Sequence, residues 1–162
     1  MLSMMGHNPT IGIRTFHGEG EFDPETCQAG KFRLAVQSAS LFVQDDLSDK
    51  DRREMERLMK DEILEVGRYP EITYEASRAS VSKIDAALFA ATIDGALSLH
   101  GATRAEPLSV RILSMGDMLR ASGEFNLKQS DYQIKPISVA GGALKLKDEL
   151  KFSFEMVARR QE

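Results

Sequence analysis

Ala90–Val110 reads AATIDGALSLHGATRAEPLSV, and its pattern decides the fold class. Ile93, Leu97 and Leu99 alternate with Thr92, Ser98 and His100, interrupted at Asp94-Gly95. The run turns at Gly101 and resumes after Pro107 as Leu108, Val110 and Ile112. A period of two marks strands with one buried face, and a tight polar turn between two such strands marks a β-hairpin.

The same alternation extends in both directions. Toward the C-terminus, Met115-Gly116-Asp117 reads as a turn, after which Leu119, Ala121, Gly123, Phe125 and Leu127 oppose Arg120, Ser122, Glu124 and Asn126. Lys128–Lys135 reads as a polar loop and Gly141-Gly142 as a flexible turn. Ala143–Leu146 and Lys151–Arg159 form the last strands, with Phe152, Phe154, Met156 and Ala158 on one side. Toward the N-terminus, Phe89 and Ala91 lead into the central hairpin, and Ile72, Tyr74, Val81 and Ile84 mark an earlier strand. Phe32, Leu34 and Val36 alternate before a Ser-Ala-Ser break, after which Leu41 and Val43 resume. Thr10–Phe16 is a further strand, and Gly18 and Gly20 permit a bulge or bend.

Asp45–Val66 carries the helical spacing, with the helix proper at about residues 48–66. Ser48 is positioned to cap it, with Asp51 three residues on. Met55, Leu58, Met59, Ile63 and Val66 make one apolar stripe, which reads as a lid packed on the sheet. Charges spaced four apart occupy the other faces, and Gly67 followed by Pro70 ends the helix. Consecutive strands at short spacing with one amphipathic helix predict a mainly β, antiparallel domain curled into a barrel, which removes its edges. At 162 residues the chain is expected to be a single domain over 1–162.

Composition excludes several classes. With Lys+Arg 21 against Asp+Glu 25, no basic run and no Trp, the chain carries no footprint for nucleic acid. Cys27 is the single cysteine, so no intramolecular disulfide or cysteine metal cluster forms within one chain. No apolar run approaches the length of a membrane span, which argues against an integral membrane protein. The opening MLSMMGHNP lacks the positive and apolar regions of a signal peptide, so the chain as given is expected in the cytoplasm.

No catalytic constellation is present. Ser130-Asp131 and His100 lack the nucleophile elbow of a hydrolase, and Gly141-Gly142 lacks the strand–helix setting of a phosphate loop. His17, Glu19 and Glu21 alternate onto one face, but at no known metal-ligand spacing, so no metal and no cofactor are expected. The expected interior set is Phe32, Leu34, Ile72, Tyr74, Phe89, Ile93, Leu97, Leu99, Leu108, Val110, Ile112, Phe125, Leu127, Phe152, Phe154 and Met156, with Met55, Leu58 and Met59 as lid. Small residues such as Ala91, Ala121 and Gly123 among these either interdigitate with the large ones in a solid core or leave a cavity for an apolar ligand. Residue patterns alone leave both open.

Four segments together resemble the YceI-like family, a bacterial lipid- or polyisoprenoid-binding domain with a lipocalin-like barrel. They are Tyr69–Tyr74 (YPEITY), Asp94–Arg104 (DGALSLHGATR), Gly123-Glu124-Phe125 leading to Ser130-Asp131-Tyr132, and Leu146–Leu150 (LKDEL) with its terminal strand. The resemblance covers about Gly6 to Arg159. It implies a barrel holding a long isoprenoid, isoprenoid quinone or fatty-acyl chain, without universal catalytic residues. Gln133 departs from the family, which usually has Gly there. Only MLSMM precedes the region where relatives have another strand, so the expectation is either a native start upstream, with periplasmic export, or an open edge that pairs with a second copy. The function expected is binding, sequestration or transport of a hydrophobic small molecule; the competing class is a solid-core, stress-related module that contacts a protein partner.

Overall fold

A computed structural model describes residues 9–135, 138–139, 144–145 and 147–161, and shows the alternating segments as neighbouring antiparallel strands. They are β1 (Ile11–Ile13), β2 (Phe16–Asp23), β3 (Gln28–Gln37), β4 (Leu41–Val43), β5 (Glu71–Lys83), β6 (Leu88–Leu99), β7 (Ala102–Ala105), β8 (Leu108–Met115), β9 (Met118–Lys128), β10 (Ser138–Val139), β11 (Leu144–Lys145) and β12 (Glu149–Arg159). The main sheet runs β12-β9-β8-β6-β5-β3-β2, with β7 also paired to β6. It is a curled antiparallel half-barrel: among the described residues, its outer strands β2 and β12 are not paired with each other. β1–β4 and β10–β11 form two small separate ladders. The Gly141-Gly142 turn lies outside the described residues.

The central hairpin forms as the alternation requires. β6 pairs with β7 from Leu99↔Ala102 to Ala96↔Ala105, then with β8 from Ile93↔Leu108 to Leu88↔Leu113. His100 and Gly101 both take positive φ, 51° and 76°, which is the demand of a two-residue hairpin turn that follows the strand twist. Pro107, unable to donate to a ladder, divides β7 from β8. Along β5 the apolar phase switches from Ile72, Tyr74 and Ala76 to Ala79 and Val81, and a register shift between Ala76 and Arg78 absorbs the switch. Both halves therefore face the same side, as β6 needs with its apolar residues in one unbroken phase.

Burial is uneven across the sheet. Tyr74, Ala91, Leu97, Leu99, Leu108, Val110 and Leu127 form the buried core with Tyr132 and Ile134, and Ile63 and Leu64 pack against it. Tyr132 and Ile134 come from the segment that polarity reads as a loop; it contains a 3₁₀ turn, Gln129–Tyr132, that folds over the end of the sheet. Alternation carries no signal for such a turn, because its inward residues are spaced by the turn and not by the pleat.

The helix also departs from expectation. Asp49–Arg57 is α-helical (α1), with Ser48 Oγ accepting from the Asp51 amide at 3.1 Å. Leu58–Ile63 then widens into a π-turn in which the Leu64 amide donates to the Met59 carbonyl. The widened turn shifts side-chain neighbours, so Arg57 pairs with Glu62, five residues on, at 3.2 Å, and with Glu54 at 2.8 Å. The helix stops before Gly67: Glu65 itself takes the left-handed position, φ 47°, which a glycine usually occupies. Arg52 ties α1 to β4 by donating to the Val43 and Asp45 carbonyls, while Val43 N–H donates to Glu56.

Candidate functional site

Strand register places the whole expected interior set on one face. Opposed pairs include Leu34↔Tyr74, Tyr74↔Leu97, Phe89↔Ile112, Ile93↔Leu108, Phe125↔Phe152 and Leu127↔Leu150, and residues directly opposite in a ladder share a side. That shared face is the concave one. Its depth varies: Tyr74, Phe89, Leu97, Leu99, Leu108, Val110 and Leu127 are buried. Phe32, Leu34, Ile72, Ile93, Ile112, Phe125, Phe154 and Met156 are half-buried, and Phe152 is 38% exposed. Of the expected lid residues, Met59 is buried while Met55 and Leu58 are half-buried. The helical residues packed on the core cluster are Ile63 and Leu64.

Aromatic rings give the face its relief. Phe125 and Phe152 stack at 5.0 Å, Phe32 lies 6.1 Å from Tyr74, and Phe22 meets Phe89 edge-on at 5.3 Å. Two glycines make room for rings. A Cβ at Gly123 would meet the Phe154 ring and the Ser109 carbonyl at 2.6 Å, and one at Gly95 would run into the Tyr74 phenol.

The buried end of the face holds the polar groups. Tyr74 OH donates to the Glu106 carbonyl at 2.8 Å, and burial pushes its phenol up to about 12. Tyr132 is 1% exposed; its hydroxyl lies beside the Glu106 carboxyl without closing a hydrogen bond of normal geometry among the described residues, and burial, followed by the Glu106 charge, pushes it up to about 12 as well. Glu106 is half-buried, and that burial raises its carboxyl above the usual range against the lowering effect of neighbouring Tyr132.

His100 ties three elements together here. Its Nε2 lies 2.7 Å from Glu65 Oε2, its Nδ1–H donates to the Tyr132 carbonyl at 3.2 Å, and Tyr69 lies against the imidazole with ring centroids 4.6 Å apart. Glu65, His100 and Gln133 all hold left-handed backbone conformations within this cluster. Strain of this kind persists where surrounding contacts over-determine it.

Other sequence candidates are not brought together. Ser130 bonds Asp148 through both its amide and its hydroxyl, while His100 is engaged with Glu65 and Tyr132, so Ser130, Asp131 and His100 form no relay. His17, Glu19 and Glu21 lie on exposed β2, where Glu21 accepts from the Lys31 amide, and no metal-ligating group of three converges among the described residues. No helix among the described residues is long and apolar enough to cross a membrane.

A family model for the YceI-like domain matches residues 2–158. The chain belongs to the YceI-like family. Solved structures similar to this YceI-like chain include the Campylobacter jejuni YCEI protein, at 17% identity over 100% of this chain and 91% of that one, with a TM-score of 0.73. Burkholderia cenocepacia BcnA is similar at 19% identity over 91% and 86% of the two chains, TM-score 0.68. A polyisoprenoid binding domain from Saccharophagus degradans, implicated in plant cell wall breakdown, is similar at 12% identity over 89% and 82%, TM-score 0.62. Among curated proteins none matches significantly. These likenesses establish the fold.

The residue pattern gives no sign of Tyr132, Glu106 and Glu65 as members of the closed end. Tyr132 is marked only by its place in the Ser130-Asp131-Tyr132 resemblance, and Glu106 only by standing before the strand-breaking Pro107. Glu65 carries no sequence signal, because the π-turn that delivers it to His100 breaks the regular helical spacing.

Proposed function

We propose that this YceI-like chain binds a long apolar ligand on the concave face of its half-barrel, as a sequestering or carrier protein without covalent chemistry. The observation that supports this most directly is the unfinished burial of that face. Phe125, Phe152 and Phe154 line its β9–β12 side in stacked or half-buried positions, with Phe152 38% exposed, where a solid core would cover them. A partly exposed aromatic surface next to a buried core suits an acyl or isoprenoid chain, and the Saccharophagus degradans neighbour is named for polyisoprenoid binding. Burying each CH₂-sized unit contributes about 0.8 kcal/mol, ample for a chain of many units after the costs of association. Such a surface selects length and width, so isoprenoid, isoprenoid quinone and fatty-acyl chains all fit the reading.

Organic extraction of freshly purified protein, followed by mass spectrometry, tests it. A stoichiometric isoprenoid or acyl compound is the expected result. An empty extract, together with no binding of added isoprenoids, would replace this reading with an interaction module that works through a protein partner.

A second reading concerns the open edge. β2 is paired only through β3 among the described strands, and its first residue, Phe16, is 54% exposed. We propose that this edge pairs with a second copy of the chain, since unpaired strand edges template association. Light scattering after size exclusion should give a dimer that Phe16→Lys converts to monomer; a wild-type monomer at all concentrations would sink the proposal.

A further inference from the structure

The wall of the half-barrel has a break at its closed end. The β8–β9 ladder runs from Met115↔Met118 only as far as Val110↔Gly123. Beyond that point β9 continues on its β12 side to Lys128↔Glu149, while the chain on the other side turns away through Pro107 into β7, which pairs with β6. Between β7 and the end of β9 a groove of about 720 Å³ remains, lined by Thr103–Glu106, Asn126–Lys128, Asp131, Tyr132 and Glu149. Leu127 and Tyr132 belong at once to this groove and to the buried apolar cluster. The groove and the concave face therefore share these two residues at the closed end.

We propose that this break is a head-group subsite: the Tyr132 hydroxyl and the Glu106 carboxyl take the neutral, hydrogen-bonding end of the apolar ligand, a hydroxyl or carbonyl, and disfavour an anionic one. Two observations carry it. The Tyr132 hydroxyl is buried and, although the Glu106 carboxyl stands beside it, closes no hydrogen bond of normal geometry among the described residues; a buried polar group left so is costly, and a ligand oxygen entering between the two gains a pairing that the protein leaves open. Glu106 stands beside that hydroxyl, and its own backbone carbonyl is already taken by Tyr74 OH.

The charges of the groove point the same way. Asp131 and Glu149 add to Glu106, against Arg104 and Lys128, and Arg104 Nε donates to the Asp131 carbonyl. A diphosphate or carboxylate placed at Tyr132 would face the Glu106 carboxylate across a partly dehydrated site, where like charges repel strongly. A prenol hydroxyl or quinone carbonyl meets no such opposition. Length would then be read by the concave face and head-group charge by the groove.

This inference rests on the binding reading above, and one experiment separates the two. Geranylgeraniol, geranylgeranyl diphosphate and the saturated hydrocarbon phytane are compared by displacement of an environment-sensitive fluorescent probe from the full chain. The alcohol is expected to bind about tenfold more tightly than the diphosphate, and Tyr132→Phe to weaken the alcohol about tenfold while leaving phytane within about twofold, the scale of one hydrogen bond. Glu106→Gln should bring the diphosphate to within about twofold of the alcohol, a gain of binding that a misfolded variant does not produce. Equal binding of all three ligands, or a diphosphate preference, would overturn the subsite and leave the binding reading standing. No binding of any of the three would remove both.

Discussion

The two ends of the concave face carry the same alternating pattern and very different burial. At the closed end, Leu97, Leu99, Leu108 and Leu127 each retain 5–8% exposure, and the Gln129–Tyr132 turn, Ile134 and the Ile63-Leu64 end of the helix cover them. On the open side, Leu150 and Phe152 of β12 alternate just as strictly yet remain 37% and 38% exposed, and Phe16 of β2 is 54% exposed. Alternation sets which way a side chain points. Depth is set by what lies over it, and at the edges of this sheet the described residues cover the apolar side chains only in part. The chain thus combines a finished core, which supplies stability, with an apolar surface that the described residues leave partly open.

Truncation should expose the division most sharply. Leu97→Ala removes a buried side chain from the centre of the core cluster and should cost about 3 kcal/mol, the usual range for large-to-small changes in a packed interior. Phe152→Ala removes a larger side chain from the open side, where part of its surface already meets solvent, and should cost about 1 kcal/mol. Its effect should appear in ligand affinity. Urea unfolding of both variants, beside probe binding, checks the pair; equal stability losses would mean the open side is structural core after all.

A tighter test lies at Gly95. Its missing Cβ is the space into which the Tyr74 phenol fits, and Tyr74 OH reaches the Glu106 carbonyl from there. Gly95→Ala should displace the ring and break that hydrogen bond, costing about 1–3 kcal/mol as overpacking does. Gly18, by contrast, lies on the open side, where a Cβ would meet a Leu34 methyl carbon at 3.2 Å at the end of a flexible side chain. Gly18→Ala should be tolerated within about 0.5 kcal/mol, the range for substitutions away from packed features. Thermal unfolding of the two variants reads the contrast directly.

How far the sequence announces this arrangement follows from the same contrast. The face assignment is legible from Phe32 to Met156, because the strands keep one period, and the slips at Gly20/Phe22 and in β5 fall where glycine or polar residues absorb them. The helix start is legible from Ser48. The closed end is not. Tyr132 enters by a 3₁₀ turn, Glu65 by a π-turn, and Glu106 by a strand break, three local geometries with no periodic signature. The openness of the half-barrel is equally hidden, since an edge residue and a central residue carry the same pattern.

The closed end also holds a cost that can be removed. Gln133 sits at φ 59° immediately after the covering turn, in a region that an L side chain enters at a penalty and glycine enters freely. Gln133→Gly should stabilise the chain by about 0.5–1 kcal/mol and raise the melting temperature by a few degrees, net of the entropy that glycine adds to the unfolded state. A lower melting temperature would show that the Gln133 side chain makes contacts worth more than the strain.

The smallest effect concerns how the cover is pinned. Asp148 accepts from the Ser130 amide at 2.8 Å and from the Ser130 hydroxyl, and its own backbone carbonyl accepts from Gln129 N–H at 2.8 Å. The Ser130 hydroxyl and amide hold its carboxyl below the ordinary aspartate value. A folded-state pKa lower than the unfolded one means stability that is present in full above the unfolded pKa and lost as pH falls through the folded one. Loss from this site is therefore confined to strongly acid pH, below about 4 given an ordinary aspartate pKa near 3.9. Asp148→Asn should lower stability slightly at neutral pH and flatten the acid limb of the stability curve, because its amide gains nothing from ionisation. Asp23 offers the matching control on the open side: Thr26 depresses its carboxyl in the β2–β3 turn, far in the fold from the covering turn. Hydrogen exchange should accordingly show the Gln129–Tyr132 amides loosened in the parent chain at pH 3 and already loosened in Asp148→Asn at neutral pH, while Asp23→Asn leaves them protected at neutral pH. If both variants loosen that turn alike, the two ends of the sheet are coupled, and the division between a finished core and an open face would have to be redrawn as one cooperative unit.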